Sequence, residues 1–385
     1  MAAMTTVAQL GNQLRTAVAF PRKRAATAHD IASQDALTEK LAGVLGLSYL
    51  PHYQPPDAEA GNDIYYVPAH TLVRASAYEG TESYLRAIRD DWGLFGGIVP
   101  YDFVATKAIT HSLLHKEAAA PEGWSHAFGQ DVASSTLMGF TVFSPEDARI
   151  AGARLLGLGP VRVKPVQASG GRGQVIAHDM GQLDAVLAEQ DEIEMARWGL
   201  VLEEQLDDVE TFSVGQVRIN GLTTSYVGTQ SLTLDNERQL VYGGSTLLCV
   251  RGGYDELLTL QLSEQYRQAV RMARQFDAAA QRSWPALLAS RRNYDVALGT
   301  TVRGQAKMGV LEQSWRAGGA SFAEACAIEA FLNSEQLRVV KTATRERYGE
   351  SFVVPEHALV VYRGDDPVTG FITKYGLIEA YGNAK

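Results

Sequence analysis

Cysteine is scarce: the 385 residues hold two, Cys249 and Cys326, far apart and each among apolar neighbours. With no CxxC and no metal-ligand spacing, they argue against a disulfide framework or a cysteine–zinc site and read as buried thiols in a reducing compartment. Long apolar runs are also missing. Nowhere do 18 apolar residues occur together and the amino terminus shows no signal-like run, so a soluble cytoplasmic protein with no membrane partner is expected. Basic charge is in deficit, with 35 Lys and Arg against 44 Asp and Glu and a net charge of −9. The one clear basic cluster, Pro21-Arg-Lys-Arg24, is short, so nucleic acid is not an expected partner. No GxSxG elbow, HExxH motif or plausible Cys/His pair occurs, and the eight histidines are scattered singly. Chemistry through a covalent nucleophile or a histidine-bound metal therefore has no obvious carrier.

What is present is ordinary globular composition, 46% apolar and 21% charged, in a chain too long for one core. Two or three subdomains are expected. The first hundred residues alternate helical signals (Asp35 to Leu45, Ser83 to Asp91) with extended ones (Asp63 to Val67) around a proline-rich loop from Pro51 to Asn62. They close at Gly96-Gly97-Ile-Val-Pro100 and predict a small α/β domain with a parallel sheet. A helix from Phe103 to Leu114 carries Lys107. Ser144-Pro145-Glu-Asp147 starts another with an N-cap, a proline at the first position and acids in the first turn. A strand Val161 to Val166, a glycine loop, a strand Gln174 to His178 and a helix Gln182 to Gln190 make a unit the size of a small lid. An antiparallel sheet is expected from about residue 200, with Asn220-Gly221 as a hairpin turn. A long helix (Leu262 to Arg282), strands at Tyr294 to Leu298 and Lys307 to Glu312, and a helix Ser321 to Leu332 follow. A further helix through Arg347 and a terminal hairpin around Gly364-Asp-Asp-Pro367 complete the reading.

Chemistry is concentrated between Lys164 and Ser321. In order come Val161-Arg-Val-Lys164-Pro165, the loop Ser169-Gly-Gly-Arg-Gly-Gln174, Val201-Leu-Glu-Glu-Gln-Leu206, Asp295, and Glu312-Gln-Ser314-Trp-Arg316-Ala-Gly-Gly. A lysine on a rigid strand can hold phosphate oxygens, and clustered glycines can turn backbone N–H groups toward the same phosphates. Asp295 and Glu312, 17 residues apart on strand-like segments, can converge on a hard cation. Each piece has a plainer reading. Lys164 can be a surface charge at a strand end, Glu203-Glu204 a soluble strand edge, Asp295 a turn cap, and Glu312 a salt-bridge partner of Arg316. Their order argues for the shared reading.

That order resembles the ATP-grasp superfamily, over roughly residues 60 to 335, and suggests a bacterial branch of it. The resemblance implies an α/β and α+β fold: an N-terminal α/β domain (1–105), a small lid or central subdomain (106–198) and a C-terminal antiparallel-sheet subdomain with a terminal hairpin (199–385). It implies ATP and Mg2+ as cofactors. Lys107 and Lys164 match the two lysines that neutralise nucleotide phosphates. Ser169, Gly170, Gly171, Gly173 and Gln174 match the phosphate-covering loop, and Glu203, Glu204, Gln205 and Leu206 the segment that receives adenine. Glu210 is the nearest acid for the ribose, although strict register places Thr211 there. Asp295 and Glu312 match the metal carboxylates. The asparagine usual two residues after the glutamate is here Ser314, a shorter ligand. Arg316 matches an arginine that stabilises the transferring phosphate, and with Lys164 is the expected catalytic pair.

Proteins of this resemblance mostly join a carboxylate to an amine, thiol or similar nucleophile through an acyl-phosphate, releasing ADP and phosphate. The expected partners are thus two small molecules, with a homodimer expected by analogy only. A small-molecule kinase, or a nucleotide-binding regulatory or scaffold protein with decayed catalysis, are the alternatives. Tyr242 to Thr246, Arg251 to Tyr254 and Arg291-Arg292 are further candidate substrate contacts.

Overall fold

The computed structural model describes residues 14–23, 25–55, 63–74, 82–167 and 173–382. Strand Thr16–Val18 lies between Ser48–Tyr49 and Ile64–Tyr66 in a parallel three-stranded sheet. Parallel neighbours need a crossover. Helix Ala28–Leu45 supplies the first one, started by the Thr27 hydroxyl accepting from Asp30 N and ended at Gly46 in the left-handed region, φ 69°. Its Leu37, Leu41 and Ala42 are buried. Most of the expected proline-rich loop, residues 56–62, lies outside the described residues.

The helix expected from Phe103 to Leu114 is instead two short 3-10 turns, Asp102–Ala105 and Lys107–Thr110. Thr106 between them is extended, and its hydroxyl accepts from Ala108 N. The carbonyls of Val104 and Thr106 accept from Gln313 Nε2, at 3.0 and 2.6 Å, so a distant side chain takes the groups an α-helix would use internally.

The small second sheet is antiparallel, in the order Gly139–Val142, Leu200–Glu204, Val161–Pro165, Val175–Ala177. Helices Pro145–Leu156 and Met180–Ala188 cover one face and share a core with Val161, Val163, Leu200 and Leu202. The Ser144 hydroxyl caps the first helix by accepting from Asp147 N at 3.2 Å. Because Leu200–Glu204 is paired on both sides within this sheet, the unit runs past the boundary expected at 198, to Glu204.

The large sheet has eight antiparallel strands. Along it lie Ala306–Ser314, Arg291–Thr300, Asp207–Ile219, Leu222–Leu234, Leu240–Arg251, Val339–Tyr348, Gly370–Gly382 and Leu359–Asp366. Ile219 pairs with Leu222 across a two-residue turn, with φ 49° at Asn220 and 74° at Gly221, as a primed hairpin requires. Helix Glu264–Ser283 buries Val270, Ala273 and Phe276 in the largest core, and helix Ser321–Asn333 joins the sheet to the N-terminal domain through Ile328 and Phe331. The segment before Arg347, expected as helix, is the strand Val339–Tyr348. Its β-branched Val340 and Thr342 are buried between two long neighbours, and that pairing outweighs the helical look of its charges. Among the described residues no helix is long and apolar enough to cross a membrane. Cys249 and Cys326 are free and buried, and burial pushes their thiols up to about 12 and about 11.

Candidate active site

A cavity of about 640 Å³ lies between the small sheet, the large sheet and the start of helix Ala28–Leu45, within the size range of small-molecule sites. Lys107, Lys164, Glu203, Asp295, Glu312 and Arg316, named above from the sequence, all line it. Residues spread over 200 positions are thus gathered by three separate pieces of backbone.

On the lid side, Lys164 Nζ donates to Glu203 Oε1 at 2.7 Å, and His111 Nε2 lies 3.1 Å from Glu203 Oε2. The strands carrying Lys164 and Glu203 are neighbours, and all three residues are at most 3% exposed. Burial alone would raise the Glu203 carboxyl, but Lys164 and His111 outweigh it and hold the group down at about 2. Both Glu203 oxygens are therefore engaged, one by Lys164 and one by His111.

Glu204 also lines the cavity, with Oε1 accepting from Met138 N at 2.9 Å. Gln205 does not line it. Its Oε1 accepts from Arg162 Nε at 2.9 Å and its N–H is given to the Pro160 carbonyl, so the expected contact residue is engaged away from the cavity. Leu206 is buried at the cavity wall. Of the covering loop, Ser169, Gly170 and Gly171 lie outside the described residues. Gly173 has φ 68°, where glycine is favoured, and Gln174 lines the cavity while accepting from Arg162 at 3.1 Å. Arg162, two residues before Lys164, is the contact the motif reading missed.

Strand parity separates the two residues expected near the ribose. Val209, Thr211 and Ser213 line the cavity, whereas Glu210 is exposed outside it.

Asp295 and Glu312 face each other across two adjacent strands. Lys107 Nζ is 2.8 Å from Glu312 Oε2. Asp295 Oδ1 accepts from Gln230 Nε2 at 2.9 Å and Asn293 Nδ2 at 3.1 Å. Burial, and then the Glu312 carboxylate, push the Asp295 carboxyl up to about 6. Two carboxylates set this close together fit a hard divalent cation. Mg2+ commonly takes one or two carboxylates and completes its shell with phosphate oxygens and water. Among the described residues no group of three or more His, Cys, Asp or Glu is placed to hold a metal, so nucleotide oxygens would have to share the work. Ser314 lines the cavity opposite Asn293. The Arg316 guanidinium donates to the Ala317 carbonyl at 2.8 Å, and among the described residues it forms no ion pair with a carboxylate, so the expected alternative of a Glu312 salt bridge does not form. Burial lowers its affinity for a proton, with Glu312 opposing.

The other candidate substrate contacts divide. Tyr242 and Ser245 line the cavity, their hydroxyls 2.6 Å apart. Arg251 donates to the carbonyls of Ser334 and Leu337 and Arg292 lies 3.3 Å from Asp277, so neither reaches the cavity. Arg291 is locked to Glu324 by two hydrogen bonds of 2.8 and 2.7 Å.

The chain matches the DUF3182 model, described as protein of unknown function, over residues 17–376, and it belongs to that family. No curated protein matches it. Among solved structures it is similar to phosphoribosylamine–glycine ligase from Thermotoga maritima, at 12% identity over 97% of this chain and 93% of that one, TM-score 0.48. It is also similar to the ADP complex of N5-carboxyaminoimidazole ribonucleotide synthetase (10%; 95% and 92%; 0.46) and to a biotin carboxylase from Campylobacter jejuni (11%; 94% and 87%; 0.45). These are ATP-grasp enzymes.

Proposed function

We propose that this chain is a Mg-ATP-dependent ligase that joins a small carboxylic acid to an amine or similar nucleophile through an acyl-phosphate. The observation that carries the reading is a single cavity holding two buried lysines, two facing carboxylates and an arginine that forms no ion pair among the described residues. Asp295 and Glu312 would hold the cation, which neutralises phosphate charge when bound. Lys107 is kept in place by Glu312 until phosphate arrives, and Lys164 by Glu203. Both ammonium groups then offer donors to phosphate oxygens, and the Glu203 partner prevents Lys164 from swinging out of the site. The substrate carboxylate oxygen attacks the terminal phosphorus, the bond to the ADP oxygen breaks, and Arg316 meets the charge on the transferring group. The nucleophile then attacks the carbonyl carbon, phosphate leaves, and the nucleophile loses its proton. Nothing here requires a covalent enzyme intermediate, in keeping with the absence of an activated serine or cysteine motif.

The test is to incubate the protein with MgATP, hydroxylamine as a general nucleophile and a panel of carboxylic acids, reading ADP, phosphate and hydroxamate. Equal release of all three with one acid is the expected result. AMP and pyrophosphate would overturn the mechanism. A phosphorylated product formed without nucleophile would make the protein a kinase. Nucleotide binding with no turnover across the panel would make it a binding protein.

A further inference from the structure

Four oxygen-bearing side chains occupy one face of two neighbouring strands at the cavity. Asn293 and Asp295 are two residues apart on one, Glu312 and Ser314 on the other, with Asp295 opposite Glu312 and Asn293 opposite Ser314. Of these, Asn293 is bound into a buried network whose donors do not balance. Its Oδ1 faces Tyr226 Oη at 2.9 Å, and its Nδ2 faces Asp295 Oδ1 at 3.1 Å. Tyr226 Oη is also 2.6 Å from Glu324 Oε1. Glu324 is fully buried and accepts from Arg291 on both oxygens, so it is a carboxylate with no proton to give. One phenol proton thus stands between two acceptors. The shorter, charge-assisted bond to Glu324 takes it, leaving the phenol oxygen as an acceptor toward Asn293.

A half-turn of the Asn293 amide satisfies that oxygen, because the NH2 group then donates to Tyr226, and the two ends of an amide are nearly identical in shape. The turn brings the amide oxygen up to Asp295 Oδ1. Two acceptors at that separation repel unless a cation lies between or beside them. Each orientation is therefore short of one partner, and a cation at the cavity wall completes the second.

We propose that Asn293 is a ligand of the divalent cation, turning its amide oxygen to join Asp295 and Glu312 when the metal binds. The proposal rests on the Mg-ATP reading above and names a ligand outside the motif that suggested it. Amide carbonyl oxygens are ordinary ligands for hard cations, and an asparagine side chain is longer than that of Ser314 across from it.

The experiment measures Mn2+ binding to the full chain, with and without ADP, from the electron paramagnetic resonance signal of free Mn2+. Thermal unfolding of each variant serves as the folding control. Asn293→Ala should weaken Mn2+ binding in the presence of ADP by about tenfold or more, the size of loss typical when a metal site loses a supporting group. Asn293→Asp, which keeps an oxygen but cannot donate to Asp295, should bind within about threefold of wild type. If Asn293→Ala binds Mn2+ as wild type does, the proposal is overturned. It is equally overturned if Asn293→Asp loses binding while folded, since the residue would then serve as the N–H donor to Asp295. Should Asn293→Ala not fold, the aspartate variant decides alone. A wild-type chain that binds no Mn2+ with ADP overturns both this proposal and the Mg-ATP reading, whereas wild-type binding unaffected by either variant overturns this proposal only.

Discussion

Glu312 stands directly across the strand pair from Asp295, and its carboxylate is 2.8 Å from the buried Lys107 ammonium. One side chain thus serves a cation that would arrive with nucleotide and a lysine that is already there. Replacing it by alanine should do two separable things. Truncating one partner of a buried ion pair costs about 3–5 kcal/mol in general, reduced here because Glu312 is partly exposed. Nucleotide protection should also vanish. In wild type, MgATP at 100 times its dissociation constant adds about 2.7 kcal/mol, a rise of about 3 °C for a chain of this length. Thermal unfolding with and without MgATP reads both effects. A nucleotide shift that survives in Glu312→Ala would remove Glu312 from the site.

Glu203 predicts an acid-limb effect with a definite sign. Its folded value is about 2 against an ordinary value of 4.5, so as pH falls the unfolded chain binds its proton first. The stabilisation is complete above the unfolded value and is lost as pH falls from about 4.5 through about 2. It amounts to a few kcal/mol at neutral pH. Glu203→Gln should therefore be less stable than wild type at pH 7, and the gap should narrow steadily as denaturant titrations are repeated toward pH 3. A gap independent of pH would mean that the loss came from packing and not from the Lys164 pair.

Thr211 and Glu210 make a paired test of strand parity. Thr211→Val keeps the shape and removes the hydroxyl from the cavity wall, and a lost neutral hydrogen bond of about 1 kcal/mol would weaken ADP binding about fivefold. Glu210→Ala, on the outer face, should leave affinity unchanged. Calorimetric titration with ADP reads both, and the opposite pattern would return the ribose role to Glu210.

These residues show which parts of the site were legible in the sequence. Lys164, Glu203, Asp295 and Glu312 were visible because each sits in a strand with turn signals nearby, where motif order and a period of two carry real information. Thr211 followed from register alone. Asn293 was not visible. Its place beside Asp295 follows from strand parity, but Tyr226, Glu324 beyond it and Ser314 opposite come from three other elements, and no local pattern announces a cross-strand register. The two elements misread as helix failed for a related reason. Gln313 draws off the carbonyls near Lys107, and neighbouring strands claim Val339–Tyr348, both long-range effects absent from any window of sequence.

Arg291 and Glu324 offer the sharpest test of what supports the site. The pair is almost fully buried, and Arg291 also donates to the Ser314 carbonyl at 3.0 Å and to that of Arg316 at 2.5 Å. It therefore holds the strand end from which Ser314 and Arg316 reach the cavity. Arg291→Met should destabilise the chain by about 3–5 kcal/mol, because Glu324 is left as an uncompensated buried charge. Glu324→Gln in that background should recover part of the loss, since a neutral amide tolerates burial better than an orphaned carboxylate. Nucleotide affinity should not recover with it, because the carbonyls of Ser314 and Arg316 still lack their donor. Denaturant unfolding and ADP titration on the two variants separate the effects. If stability and affinity return together, the pair matters to the site only through the stability of the whole chain.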